Sequence, residues 1–102
     1  YGPNSNLSVH GSLILFAESQ AHWIMEALHL VLASGVRAID VTEDAFGRFN
    51  TLMDEQNQLM AWGASSVSSW YKNARGRVSQ NWPLSLEDYF SMTERPDPAD
   101  FV

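Results

Sequence analysis

The chain has 102 residues, 45% hydrophobic and 18% charged, the size and make-up of one globular domain with no room for two. Twelve acidic against six basic residues leave a net charge of −6, which argues against a broad electrostatic grip on nucleic acid or an anionic membrane. The absence of cysteine excludes disulfides, a thiolate nucleophile and Cys-type zinc sites.

Residues 2–11 are turn and loop material, rich in Gly, Asn, Ser and Pro. From Ser12 to Ala33 the positions Leu13, Phe16, Ala17, Ile24, Ala27, Leu28 and Val31 form one helical stripe. Leu15, Trp23, Met25, Leu30 and Leu32 cover much of the remaining surface, so this helix is expected to be buried on more than one side. Gly35 can take the left-handed position that ends it. Val36 to Val41 is short and rich in β-branched residues, and reads as a brief strand. Thr42 is an N-cap with Glu43 and Asp44 in the first turn, and the spacing predicts a second helix over about 43–61 that tolerates Gly47. Gly63 breaks it. Residues 63–69 favour no regular structure, and a short helix over 84–92 is predicted behind the cap Ser85, followed by an extended tail at Pro96-Asp97-Pro98. The fold class is thus α-rich, an α+β fragment with two main helices, one short strand, an irregular loop and a short final helix. Glu18 stops the apolar run that starts at Leu13, so no membrane span is expected. The chain opens with Tyr1-Gly2-Pro3 and nothing resembling a signal peptide follows, which suggests an excised piece of a longer protein.

Glu18, His22, Glu26 and His29 fall at steps of four, four and three on the first helix, and Glu26 with His29 has the Glu-x-x-His spacing of di-iron bundles. Such a site needs two of these motifs and two further carboxylates. His22 and His29 lie roughly 10.5 Å apart along the axis at ~1.5 Å per residue, too far to share a metal easily, so no metal site is assigned. There is no Gly-x-Ser-x-Gly elbow, no Gly-x-Gly-x-x-Gly and no P-loop, which leaves the chain without a triad or a dinucleotide cradle of its own. The segment from Trp70 to Arg77 differs in kind: Trp70-Tyr71 is followed by Lys72, Arg75 and Arg77, half of the basic residues. Stacking surface beside phosphate-directed cations suits a nucleotide. A Trp-Tyr packing anchor flanked by solvated cations is the other reading.

Gly2-Pro3-Asn4-Ser5-Asn6-Leu7, His10-Gly11-Ser12 and Glu18-Ser19-Gln20, with Ser69-Trp70-Tyr71, Asn73, Gly76-Arg77, Trp82-Pro83 and Tyr89, resemble in order the final part of class B flavoprotein monooxygenases, including Baeyer–Villiger enzymes. The ending Met92-Thr93 and Arg95 to Asp100 is most similar to 4-hydroxyacetophenone monooxygenases. The likeness covers essentially the whole chain, with Ser8-Val9 standing where the family usually has glycine.

The resemblance implies a parent of α/β architecture with two dinucleotide-binding domains, binding FAD and NADPH through Gly-x-Gly-x-x-Gly motifs that this chain lacks. A C4a-peroxyflavin would insert one oxygen atom of O₂ into a ketone, giving an ester or lactone, with related members oxygenating nitrogen or sulfur. By that likeness residues 1–11 form a flavin- and substrate-facing loop, 12–61 a helical part, 62–83 a cofactor loop and 84–102 a short helix and tail. Cofactor contacts would fall to Asn4, Asn6, Leu7, Trp70, Tyr71 and Asn73, and the substrate pocket to Leu7 and Trp70. No catalytic residue is expected within the chain, since the arginine beside the peroxyflavin lies upstream. The implied partners are upstream FAD and NADPH domains, a small ketone and O₂, in the cytoplasm, with neither nucleic acid nor membrane. The chain alone is expected to bind neither cofactor, to be inactive and to be prone to self-association. A free-standing, non-catalytic helical interaction domain is the alternative.

Overall fold

The computed structural model describes residues 2–6 and 11–102, and Leu7, one of the expected site residues, lies outside them. The described residues hold three α-helices and no sheet: α1 (Leu13–Ser34), α2 (Glu43–Gln58) and α3 (Leu86–Met92). The Ser12 hydroxyl caps α1 by accepting from the Ile14 amide, and Gly35 ends it at φ 66°, the left-handed conformation that glycine adopts without a Cβ clash. Thr42 caps α2 through the Ala45 amide. At α3 a full capping box forms, with Ser85 accepting from the Asp88 amide while the Asp88 carboxylate takes the Ser85 amide.

The core is small and aromatic. Phe16 of α1, Met53 of α2, Trp82 and Tyr89 of α3 are buried together, flanked by Leu52, Leu84 and Leu86. Phe16 stacks on Tyr89 with centroids 3.9 Å apart, and Trp82 meets Tyr89 edge-on at 5.0 Å. The Trp82 indole N–H is satisfied by the Ser85 carbonyl at 2.9 Å, as a buried polar handle requires. Across the α1–α3 seam the Ser19 and Thr93 hydroxyls bond, and His22 Nε2 donates to the Glu94 carbonyl at 2.7 Å.

Four expectations are corrected. The first concerns α1, on which only Phe16 is buried while most of its large aliphatic residues stay exposed; the remaining elements are too few to cover a second face. The second is the strand at 36–41, which does not form. Only Val41 makes an isolated antiparallel bridge, to Phe101, flanked by the reciprocal Asp40–Val102 bonds and by Thr42 N–H to Asp100 O at 2.8 Å. Among the described residues no neighbouring strand extends that pairing, so β propensity alone does not produce a sheet. Third, the tail is not simply extended: Pro98–Asp100 makes a 3₁₀ turn capped by Asp97, and Asp100 reaches back to Arg48 of α2 at 2.6 Å. Fourth, α2 stops at Gln58, and a separate 3₁₀ turn occupies Ala61–Gly63. There the Trp62 indole donates to Asn57 Oδ1 at 2.8 Å, and Gly63 folds so close that an added Cβ would lie 1.7 Å from the Asn57 carbonyl oxygen.

The radius of gyration, 15.0 Å, exceeds the roughly 13 Å of a compact chain of this length, in keeping with a long helix that is packed on one side only. Among the described residues no helix is long and apolar enough to cross a membrane.

Candidate functional site

Two segments some 70 residues apart in sequence are clipped together. Asn4 N–H donates to Ser79 O at 3.0 Å, Asn6 N–H to Gln80 O at 2.9 Å, and Trp82 N–H returns to Asn6 O at 2.9 Å. Asn6 and Asn81 thereby form a parallel bridge. Asn4 is buried and sits at φ 54°, a region asparagine tolerates better than most residues. Its amide donates to the Val78 and Asn81 carbonyls, both at 3.1 Å, and the Asn6 amide donates to Asn81 Oδ1 at 3.1 Å. The clip is built from asparagine side chains because each supplies a short, rigid donor beside a backbone that has not yet entered regular structure.

The second segment folds back on itself as an irregular hairpin. Lys72 bridges Val78, Ser79 N–H bonds Tyr71 O at 3.2 Å, and Asn73 organises the bend. The Asn73 side-chain oxygen accepts from the Arg75 and Arg77 amides, while Gly76, at φ 77°, closes the turn onto Asn73 O at 2.9 Å. Arg77 is held by Asp54 and Asn50 of α2, at 2.6 and 2.5 Å. Lys72 Nζ donates to the Ala64 and Val67 carbonyls at 2.7 and 2.8 Å, pinning the 63–69 loop over a cavity of about 910 Å³ that Asn73 also lines. The sequence left Lys72, Arg75 and Arg77 open between phosphate contacts and solvated flanks of a Trp-Tyr anchor; in the fold Lys72 and Arg77 are engaged with the chain itself.

Where the clip meets the hairpin there is a cleft of about 500 Å³ whose walls include Gly2, Pro3, Asn6, Trp70 and Gln80. Trp70 is 73% exposed and packs one side against Tyr71, 4.5 Å away, which in turn meets Trp62 edge-on. Of the expected site residues, the fold therefore brings Asn6 and Trp70 to one cleft. Tyr71 supports Trp70 from behind, Asn4 lies beneath as part of the clip, and Asn73 lies at the far bend. The feature that sequence reasoning missed is Asn81, fully buried at the centre of the clip, with Nδ2 left without a hydrogen-bond partner. Nothing in its local spacing marks it, because its role depends on a partner 75 residues away.

Buried in the core with Phe16 and Trp82, Tyr89 has its phenol pushed above the ordinary tyrosine value by desolvation, an effect partly opposed by the Gln20 side chain. Glu26 and His29 pair at 3.8 Å on the exposed side of α1, and His22 is bound to a backbone carbonyl. Among the described residues no group of three or more His, Asp or Glu is arranged to hold a metal ion.

No protein-family model matches the chain, and no solved structure does. Among curated proteins, it is 31% identical over 101 residues to a Baeyer-Villiger monooxygenase of Streptomyces coelicolor, spanning 98% of this chain and 19% of that protein. It is 29% identical to an uncharacterised monooxygenase of Sinorhizobium fredii, over 99% of this chain and 15% of that one. An FAD-binding monooxygenase of Aspergillus niger is 24% identical over the whole chain, which covers 17% of it. These relatives are monooxygenases by name, and the chain spans less than one fifth of the length of each.

Proposed function

We propose that this chain is the carboxyl-terminal part of an FAD- and NADPH-dependent monooxygenase of the Baeyer–Villiger type, working in the cytoplasm on a small ketone and resembling the 4-hydroxyacetophenone monooxygenases. The observation that carries the reading is the cleft that joins Asn6 and Trp70, two residues that the family resemblance assigns to the cofactor side of the enzyme. Its support from outside is that the relatives matched over nearly the whole chain are named monooxygenases, one of them a Baeyer-Villiger enzyme and one FAD-binding.

The residues present fit one wall of a cofactor site and no more. An exposed indole face beside a cleft walled by glycine and proline accepts a planar ring. A glycine-rich dinucleotide fold is missing from the chain, so the rest of the protein must hold the cofactors. The flavin, when bound, supplies the oxygen chemistry. The part of this chain is to position. The asparagine clip fixes the Gly2–Asn6 loop against residues 79–82, Trp70, packed on Tyr71, forms a wall of the cleft, and the Lys72 bonds to Ala64 and Val67 hold the loop before it. If the loop opens, these two bonds are the ones that must break, and such gating is a common way to admit cofactor and exclude water.

The test is the full-length product of the gene. Flavin absorbance on the purified protein and ketone-dependent oxidation of NADPH are expected, and a colourless protein refutes the reading. A free-standing interaction domain gains weight from the exposed apolar residues of α1; two upstream Gly-x-Gly-x-x-Gly motifs would exclude it.

A further inference from the structure

The helix α1 has two apolar faces and the fold uses one. Phe16 and Trp23 point to the interior, where they meet Tyr89 and Phe101. On the opposite side Ile14, Ala21, Met25, Leu28 and Leu32 recur at steps of seven, four, three and four, with Ile24 beside them, which at ~100° per residue keeps them on one stripe. Every one of these is exposed, Ile14 by 69%, Leu28 by 50% and Leu32 by 77%. From Ile14 to Leu32 the stripe is ~27 Å long at ~1.5 Å per residue, and soluble proteins rarely leave a continuous aliphatic strip of that length in water. Glu18, His22 and His29 run along one edge of the stripe and none lies within it.

We propose that this stripe is a docking face for the rest of the same polypeptide, filling an apolar groove that has no charge along its floor. The inference rests on the reading that the chain is part of a longer protein. Its argument is the length of chain beyond these residues: more than four fifths of each matched relative lies outside the matched stretch, ample mass to bury one helix face. A covalently attached partner also has a large effective concentration, so a face of this kind can close without high intrinsic affinity.

Hydrogen–deuterium exchange is read on the full-length gene product, with the amides of α2 as the internal reference for a folded chain. Amides of α1 from Ile24 to Leu32 are expected to exchange slowly, independent of protein concentration, and at least tenfold faster in the double variant Met25→Glu/Leu28→Glu while those of α2 keep their rate. Unchanged α1 exchange in that variant overturns the proposal. Oxidation of Met25 by dilute peroxide in the wild-type full-length protein needs no variant: a rate at least tenfold below that of free methionine is expected, and the free rate overturns the proposal. Protection that grows with protein concentration overturns it in favour of a second copy. Flavin absorbance and NADPH oxidation on the same sample separate the two readings: a colourless, inactive protein with α1 protected removes the proposed function and keeps the docking face, whereas a yellow, active protein with α1 unprotected does the reverse.

Discussion

Replacing Asn4 by alanine tests whether the clip is held by its side chain or merely by chain connectivity. The Asn4 amide makes two buried bonds, to Val78 O and Asn81 O, each worth about 1 kcal/mol net. Its φ of 54° adds a further cost of about 1 kcal/mol for a residue with a Cβ and no local side-chain bond. The sum, about 3 kcal/mol, is a factor of roughly 100 in the opening equilibrium of the clip. The assay is amide exchange at Asn6 and Trp82, whose N–H groups close the clip onto Gln80 and onto Asn6. Exchange at both should accelerate about 100-fold, or reach the rate of open chain if the clip holds less than that. Asn4→Gly removes the two bonds and relieves the strain, so it should cost about 2 kcal/mol and accelerate exchange less than alanine does. Unchanged exchange in the alanine variant would refute the role of the side chain, and identical alanine and glycine variants would refute the part assigned to backbone strain.

Gly63→Ala places a Cβ 1.7 Å from the Asn57 carbonyl, against backbone that cannot swing away, so a loss above about 2 kcal/mol is expected; thermal melting gives the size, and a fluorescence change should report loss of the Trp62–Asn57 bond. The Tyr89 phenol, raised by burial, binds its proton more tightly folded than unfolded. Its contribution to stability is therefore complete below about pH 10, the ordinary tyrosine value, and is lost as pH climbs through the folded value. Melting temperature should fall above about pH 10, and Tyr89→Phe should blunt that fall; an identical alkaline profile in the variant contradicts the assignment. Trp70→Ala, at a side chain 73% exposed, should change stability by less than about 1 kcal/mol. If the proposed function holds, the same variant of the full-length protein should nevertheless impair turnover or coupling of NADPH oxidation to product, and unchanged kinetics would refute the place of Trp70 at the cofactor.

What could be read from the sequence follows the range of the interactions involved. Local signals were sufficient for α1, α2 and α3, because Ser12, Thr42 and Ser85 cap their helices through atoms only two or three residues away. The same locality misled at Val36–Val41, where β-branched residues mark a strand but the partner is a single bridge to Phe101 in the tail. The end of α2 also escaped, since the Trp62–Asn57 bond and the close approach of Gly63 are packing events with no periodic signature. At the cleft, the family resemblance named Asn6 and Trp70, while residue chemistry alone left Trp70 divided between stacking and packing. Asn81 was invisible because only the folded chain brings it against Asn6.

The expectation for α1 failed in a way that carries information. A pattern apolar on two faces predicts burial on two faces, and the physics behind that inference, the cost of exposing aliphatic surface, does not depend on whether the covering element is present. The core formed by Phe16, Met53, Trp82 and Tyr89 accounts for one face. Leaving Ile14, Met25, Leu28 and Leu32 in water would set the second face against the same effect that builds the first. The sequence pattern and the fold are reconciled if α1 was shaped to lie between two layers, of which these 102 residues contain one.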